Sequence, residues 1–284
     1  MKLRKIYYGI FYFILTTICQ QQLYAQFYNG SQMEFGKNRV QYEEFLWTYY
    51  RYDRYDIYLY TGGRELAIYT AKSIDKHIRE LENIFDYQLT DRIQIVLYNK
   101  HSHFRQSNVG LGADESYNVG GVTRIIGTKL FVYFEGDHKN FELQIRSGIA
   151  EILINELFYG GNWREALKNS TLITLPQWYI KGLVSYVTKD WDDQIENKVK
   201  DGVLSGKYKK FNHLTGDDAV YAGHAMWHYI IQVYGANVLA NIVYMTKMSR
   251  NVESGFLYVL GVSLKNISLD WIDYYTNLYR SAEM

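Results

Sequence analysis

Along this chain the apolar positions follow one rhythm up to about residue 139 and another after it. In the first part, Tyr55 to Tyr60 alternates, is rich in β-formers and ends at the turn signal Thr61-Gly62-Gly63. Arg92 to Tyr98 reads as a second strand, and Gly121 to Gly127 with Lys129 to Glu135 as a hairpin. Between the first two strands, Glu65 to Phe85 carries apolar residues at 66, 67, 74, 78, 81 and 85, mostly at helical spacing. Residues 26–138 are therefore expected to form an α/β lobe around a small mixed sheet.

From residue 139 onward the pattern is helical. Phe141 to Tyr159 predicts one helix, stopped by Gly160-Gly161. Leu175-Pro176 opens another that runs to about Lys189, with proline in the first turn, where its missing N–H costs nothing. Further helices fit 192–204, 219–234, 236–248 and 266–280, whereas 251–261 fits no single period. The expected fold class is α+β: the α/β lobe followed by a mainly helical lobe over 139–284, the two forming one domain.

The first 25 residues read as a signal peptide. Lys2, Arg4 and Lys5 precede the uncharged apolar run Ile6 to Ile18, and Leu23-Tyr24-Ala25 offers a cleavage site before Gln26. That run is short for a bilayer span, so no stable membrane span is expected after cleavage. Thr16-Thr17-Ile18 lacks the small residue wanted before a lipidated cysteine, which sets Cys19 aside as a lipid anchor. The expected location is exported, periplasmic or outer-membrane associated. Cleavage takes three of the 31 Lys and Arg, leaving 28 against 30 Asp and Glu, which is no electrostatic footprint for nucleic acid. It also takes the only cysteine, which excludes disulfides and thiolate metal sites.

Chemistry is best sought on the helices from Phe141 and Leu175. Residues 145, 149, 152, 153 and 157 form an apolar arc, with Glu156 in its middle. A carboxylate there needs a partner, because an isolated buried charge is very costly. Glu151 and Asn155 lie one turn apart on another face.

The second helix reads Leu175-Pro-Gln-Trp178-Tyr179-Ile-Lys181-Gly182-Leu183-Val-Ser185-Tyr186. It resembles the second motif helix of gluzincin-type, peptidase MA-like metallopeptidases, L-P-x-W-[FY]-x-E-G-[LI]-x-x-Y. In that family an H-E-x-x-H helix lies upstream. The resemblance implies a gluzincin-like fold and places the three zinc ligands at Glu151, Asn155 and Lys181, with the general base at Ile152. Zinc needs three ligands from His, Cys, Asp or Glu, and its water needs a base. Asparagine is a poor ligand, lysine repels the metal and isoleucine accepts no proton. The resemblance therefore implies a pseudo-metallopeptidase with no metal and no cofactor, in which Lys181 pairs with Glu151 or Glu156.

More narrowly, the chain resembles the N-terminal domain of TolB-like proteins of the Bacteroidetes, where an inactive peptidase-like domain precedes a β-propeller. No propeller repeat occurs in these 284 residues. The function expected is a non-catalytic binding or scaffolding domain of the cell envelope, holding a peptide or partner protein in the former substrate cleft. Residues expected at that cleft are Glu156, Trp178, Tyr179, Tyr186, His224 and His228. The alternative is a metal-dependent hydrolase with a relocated site built on His224 and His228, which have zincin spacing, and a carboxylate such as Glu151 or Glu156. A third reading is a stability module that only presents a propeller.

Other constellations carry less. His101 and His103 read as solvated loop histidines, and Lys207 to Lys210 as a solvated turn. Gly110-Leu-Gly112 and Gly120-Gly121 lack the strand–turn–helix context of a phosphate loop. Ser147 and Ser185 show no histidine and acid at a convincing distance in sequence.

Overall fold

A computed structural model describes residues 39–107, 109, 124–126, 128–160 and 173–281, all within the compact unit Met33–Met284. The leader and the glycine pairs 110/112 and 120/121 fall outside the described residues, as does Gly161.

The five strands are β1 (Thr48–Arg51), β2 (Tyr55–Leu59), β3 (Ile93–Tyr98), β4 (Arg124–Ile126) and β5 (Lys129–Tyr133). They form one mixed sheet in the order β1-β2-β3-β5-β4. The middle three are parallel, with Ile57 opposite Ile95 and Ile95 opposite Leu130. Both edge strands are antiparallel to their neighbours. The parallel centre is nearly continuous in apolar residues, as a sheet covered on its faces requires, and Ile57, Ile95, Leu97, Leu130 and Val132 are buried. Asp56, 1 % exposed, interrupts this pattern; its carboxylate is held by Arg51 and Arg92, each at 3.1 Å.

The tyrosine-containing residues 48–51, just before the strand expected from Tyr55, form a strand of their own. β1 precedes a tight reversal and pairs with β2 as a hairpin, Tyr49 facing Tyr58. Helix α1 (Arg64–Phe85) crosses from β2 to β3 and buries Ala67, Ile74, Ile78, Leu81 and Phe85. A short helix, α2 (His101–Phe104), follows β3. Helix α3 (His138–Tyr159) starts where the Asp137 side chain accepts the Lys139 N–H at 2.8 Å. It ends at Gly160, whose φ of 89° takes the backbone out of the helix.

The helical part comprises α4 (Gln177–Thr188), α5 (Asp193–Leu204), a 3₁₀ segment (Lys207–His213), α6 (Gly216–Tyr234), α7 (Val238–Ser249), α8 (Val252–Leu260) and α9 (Leu264–Ser281). The ambiguous interval 251–261 is thus a helix, capped by Asn251, whose side chain accepts the Ser254 N–H. The expected solvated turn at Lys207–Lys210 is instead the 3₁₀ segment, anchored by buried Tyr208 and Phe211.

The most extensive packing between helices joins α4 to α6. A Cβ on Gly182 would lie 2.4 Å from the Gly223 backbone, and one on Gly223 would lie 2.1 Å from the Trp178 carbonyl oxygen. Glycine at both positions lets the helices meet backbone to backbone. Trp178, Tyr179, Trp227 and Phe256 fill the space around that contact and are fully buried.

Candidate functional site

Glu151 and Asn155 lie on one face of α3, both partly exposed, and Lys181 reaches Glu151 from α4. The Lys181 Nζ stands 3.5 Å from Glu151 Oε1. The ion pair forms with Glu151 and not with Glu156. Ile152, 3 % exposed, faces the core, so its position adds hydrocarbon to the apolar arc and no proton acceptor to the Glu151 face. Ammonium and carboxylate neutralise each other there, and the remaining polar group is an amide.

Glu156 serves the other side of α3. It is 5 % exposed and ties α3 to the loop between α1 and β3. Its Oε1 accepts from Thr90 Oγ1 at 2.7 Å, Thr90 N–H at 2.8 Å and Tyr87 O–H at 3.0 Å, and its Oε2 accepts from Asp91 N–H at 3.3 Å. Four donors give a buried carboxylate the compensation it needs. The expectation that it lines a cleft is corrected: it is a structural strut.

Trp178 and Tyr179 also leave the cleft expected for them, because both side chains are 0 % exposed. Trp178 packs on Phe211 and donates from Nε1 to Asn212. Tyr179 donates to Thr246 Oγ1 at 3.1 Å and packs edge-on against Trp227. The motif residues Trp178, Tyr179, Gly182 and Leu183 are packing residues of the α4–α6 contact.

Tyr186, His224 and His228 do share a cleft. It encloses about 870 Å³ between the end of α1, α3, the end of α4, α6 and the start of α7. Trp191 joins them, its ring centroid 4.6 Å from that of His228 and 5.7 Å from that of Tyr275. Arg146 enters from α3, donating from Nε to the Val187 carbonyl at 2.8 Å and from Nη1 to Glu80. Arg146 and Glu151 are five residues apart on α3, and Tyr186 and Lys181 five apart on α4. At helical pitch each separation is a rotation of about 140°. The cleft and the Lys181–Glu151 pair therefore lie on different faces of the same two helices.

Ser185 and His224 meet inside this region, Oγ to Nδ1 at 2.8 Å. Sequence distance concealed the contact, although the two glycines that bring α4 onto α6 were a signal for it. Ser185 is 0 % exposed and His224 1 % exposed. Among the described residues no carboxylate hydrogen-bonds to His224, and the nearby Asp192 is engaged by Lys189 and the Ile195 N–H. The arrangement is a buried polar contact between helices and not a nucleophile with its base. Burial, reinforced by His228 and Lys189, pushes the His224 pKa down to about 3. Burial also lowers that of His228, whose Nδ1 lies 3.1 Å from Tyr275 Oη. Among the described residues, no group of three or more His, Cys, Asp or Glu side chains is arranged to hold a metal ion.

His101 and His103 are more than loop histidines. His101 stacks on Tyr133 at 4.5 Å and lies 3.2 Å from Glu135, and His103 Nδ1 sits 2.7 Å from the Tyr60 hydroxyl. They close the end of the sheet with Phe45, Trp47 and Tyr98. Among the described residues, no helix is long and apolar enough to cross a membrane. No protein-family model and no curated protein matches the chain.

Proposed function

We propose that this chain is a non-catalytic, peptidase-like binding domain of the cell envelope that holds an extended peptide or a segment of a partner protein. The observation that carries the reading is the Lys181–Glu151 ion pair, which joins two positions where the peptidase resemblance requires metal ligands. An ammonium group at that place opposes a divalent cation, and Ile152 offers no base. Peptide capture is supported by β4, which stands at the edge of the sheet, antiparallel to β5. An extended segment can pair with such an edge without any metal. Export to the envelope rests on the leader-like residues 1–25.

The test has two parts. Elemental analysis of the purified chain, with a peptide-library cleavage assay run with and without chelator, is expected to show no stoichiometric zinc and no turnover. A displayed library of extended peptides is expected to yield binders, whose amide protons would show protection on the β4 side. Chelator-sensitive cleavage would favour the alternative hydrolase built on His224 and His228. Absence of any peptide binder would remove the binding role.

A further inference from the structure

The 870 Å³ cleft does not stand alone. A second pocket of about 280 Å³ adjoins it and shares Arg146, Tyr186, Val187, Lys189 and Asp190. Together they make one elongated groove along α1 and α3, walled by the end of α4. The larger compartment lies near the upper end of the range in which small-molecule sites are found.

Its chemistry is mixed in a particular way. The floor is aromatic, from half-buried Tyr186, Trp191 and His228. The rim carries exposed amides, Asn83, Asn237 and Asn241, and exposed carboxylates, Asp86 and Asp190. An amide both donates and accepts, and a carboxylate accepts, so the rim can answer hydroxyl groups in either sense. The two inner cations are already engaged, Arg146 by Glu80 and the Val187 carbonyl, Lys189 by Asp192 at 2.8 Å. In the larger compartment an anion would find no unspent cation, whereas exposed Lys139 lines the smaller one.

The smaller compartment is lined in part by His77 and Thr188. Arg146 Nη1 lies 3.2 Å from His77 Nδ1. A guanidinium only donates, so Nδ1 accepts and the imidazole proton resides on Nε2. That Nε2–H has no hydrogen-bond partner among the described residues, and neither does Thr188 Oγ1. Both side chains line the pocket and both are more than nine-tenths buried. Both atoms are themselves closed to solvent, so they are polar groups left unpaired behind the pocket wall and not contact points on its surface. The walls are helical, so strand pairing with a peptide backbone has no edge to use here.

We propose that this double groove binds a neutral, hydroxyl-rich ligand, a short oligosaccharide. Its ring C–H faces lie on Tyr186 and Trp191, and its hydroxyls engage the amide and carboxylate rim. The site is on a different face of α3 and α4 from the Lys181–Glu151 pair, so the inference does not depend on peptide capture.

The test is calorimetric titration of the full chain with cellotriose, maltotriose and triacetylchitotriose, with tetramethylammonium and trilysine as cationic controls. At least one trisaccharide is expected to bind. Trp191→Ala is expected to weaken it about tenfold through loss of the ring platform. Asn237→Ala, an exposed rim change that leaves the core intact, is expected to weaken it roughly threefold to fivefold. This second variant keeps the test decisive if Trp191→Ala fails to fold. Three outcomes would overturn the proposal: no heat from any trisaccharide, affinity indifferent to Asn237→Ala, or tighter binding of the cationic controls than of any sugar.

Discussion

The ammonium of Lys181 on α4 stands 3.5 Å from a carboxylate oxygen of Glu151 on α3, with the two side chains 38 % and 26 % exposed. A pair this open to solvent contributes little. A double-mutant cycle of Lys181→Met and Glu151→Gln, read by urea unfolding, is expected to give a coupling of about 0.2–1 kcal/mol. A coupling of several kcal/mol would mean that the pair is a buried structural device.

Glu156 behaves differently, although it lies only one and a half turns further along α3. Glu156→Gln puts an NH₂ donor among four donors from Tyr87, Thr90 and Asp91. The expected loss is roughly 2–3 kcal/mol of unfolding free energy, because buried charge-assisted hydrogen bonds are broken and donors left unpaired. The urea midpoint checks it, and a change under about 0.5 kcal/mol would show that the loop is held by other contacts.

Gly223→Ala tests the crossing of α4 and α6. The added methyl would sit 2.1 Å from the Trp178 carbonyl oxygen, and backbone cannot step aside as a flexible side chain can. Destabilisation of about 2–3 kcal/mol or more is expected by thermal unfolding. Gly235→Ala, with φ of 90° and nothing within 4 Å of the added carbon, is destabilising only through its backbone conformation. The difference between the two variants isolates the close approach.

Acid sensitivity follows from two buried imidazoles. His77 is lowered to about 4 by burial and by Arg146, against the opposing Glu142 and Glu80 and with Lys76. His224 is lowered to about 3 by burial, His228 and Lys189, against Asp192. Both are neutral in the folded and unfolded chain above the ordinary value of 6.5. As pH falls below that value the unfolded chain takes up protons that the folded one refuses. Stability therefore rises with pH across this window and is lost on acidification, by about 1.4 kcal/mol per pH unit for each histidine. Urea midpoints at pH 7, 6 and 5 should fall more steeply for the parent than for His224→Asn. Parallel slopes would contradict the assignment.

Much of the fold was legible because burial imposes a period. The helices from Glu65, Phe141 and Leu175 and the strands from Tyr55 and Arg92 emerge within a few residues of their observed limits. β1 was hidden because an exposed edge strand, with Tyr49 half exposed beside Arg51, carries no clean alternation. The side-chain chemistry was harder. Trp178 and Tyr179 belong to a recognisable motif, yet only the α4–α6 contact reveals that they are core. His224 met Ser185 across 39 residues, and Glu156 met Thr90 across 66, through contacts that no local pattern encodes. The Lys181–Glu151 pairing was accessible because it follows from charge complementarity at positions aligned by the motif.

The most direct measurement is zinc calorimetry on the parent chain beside the triple variant Glu151→His, Asn155→His, Lys181→Glu. The residues at 151 and 155 share a helix face, and that at 181 already reaches Glu151, so restored ligands would converge. No zinc heat is expected for the parent, and chelator-reversible binding near one equivalent is expected for the variant. Zinc binding by the parent would contradict the non-catalytic reading, and a triple variant that folds but takes no zinc would contradict the peptidase resemblance on which it rests.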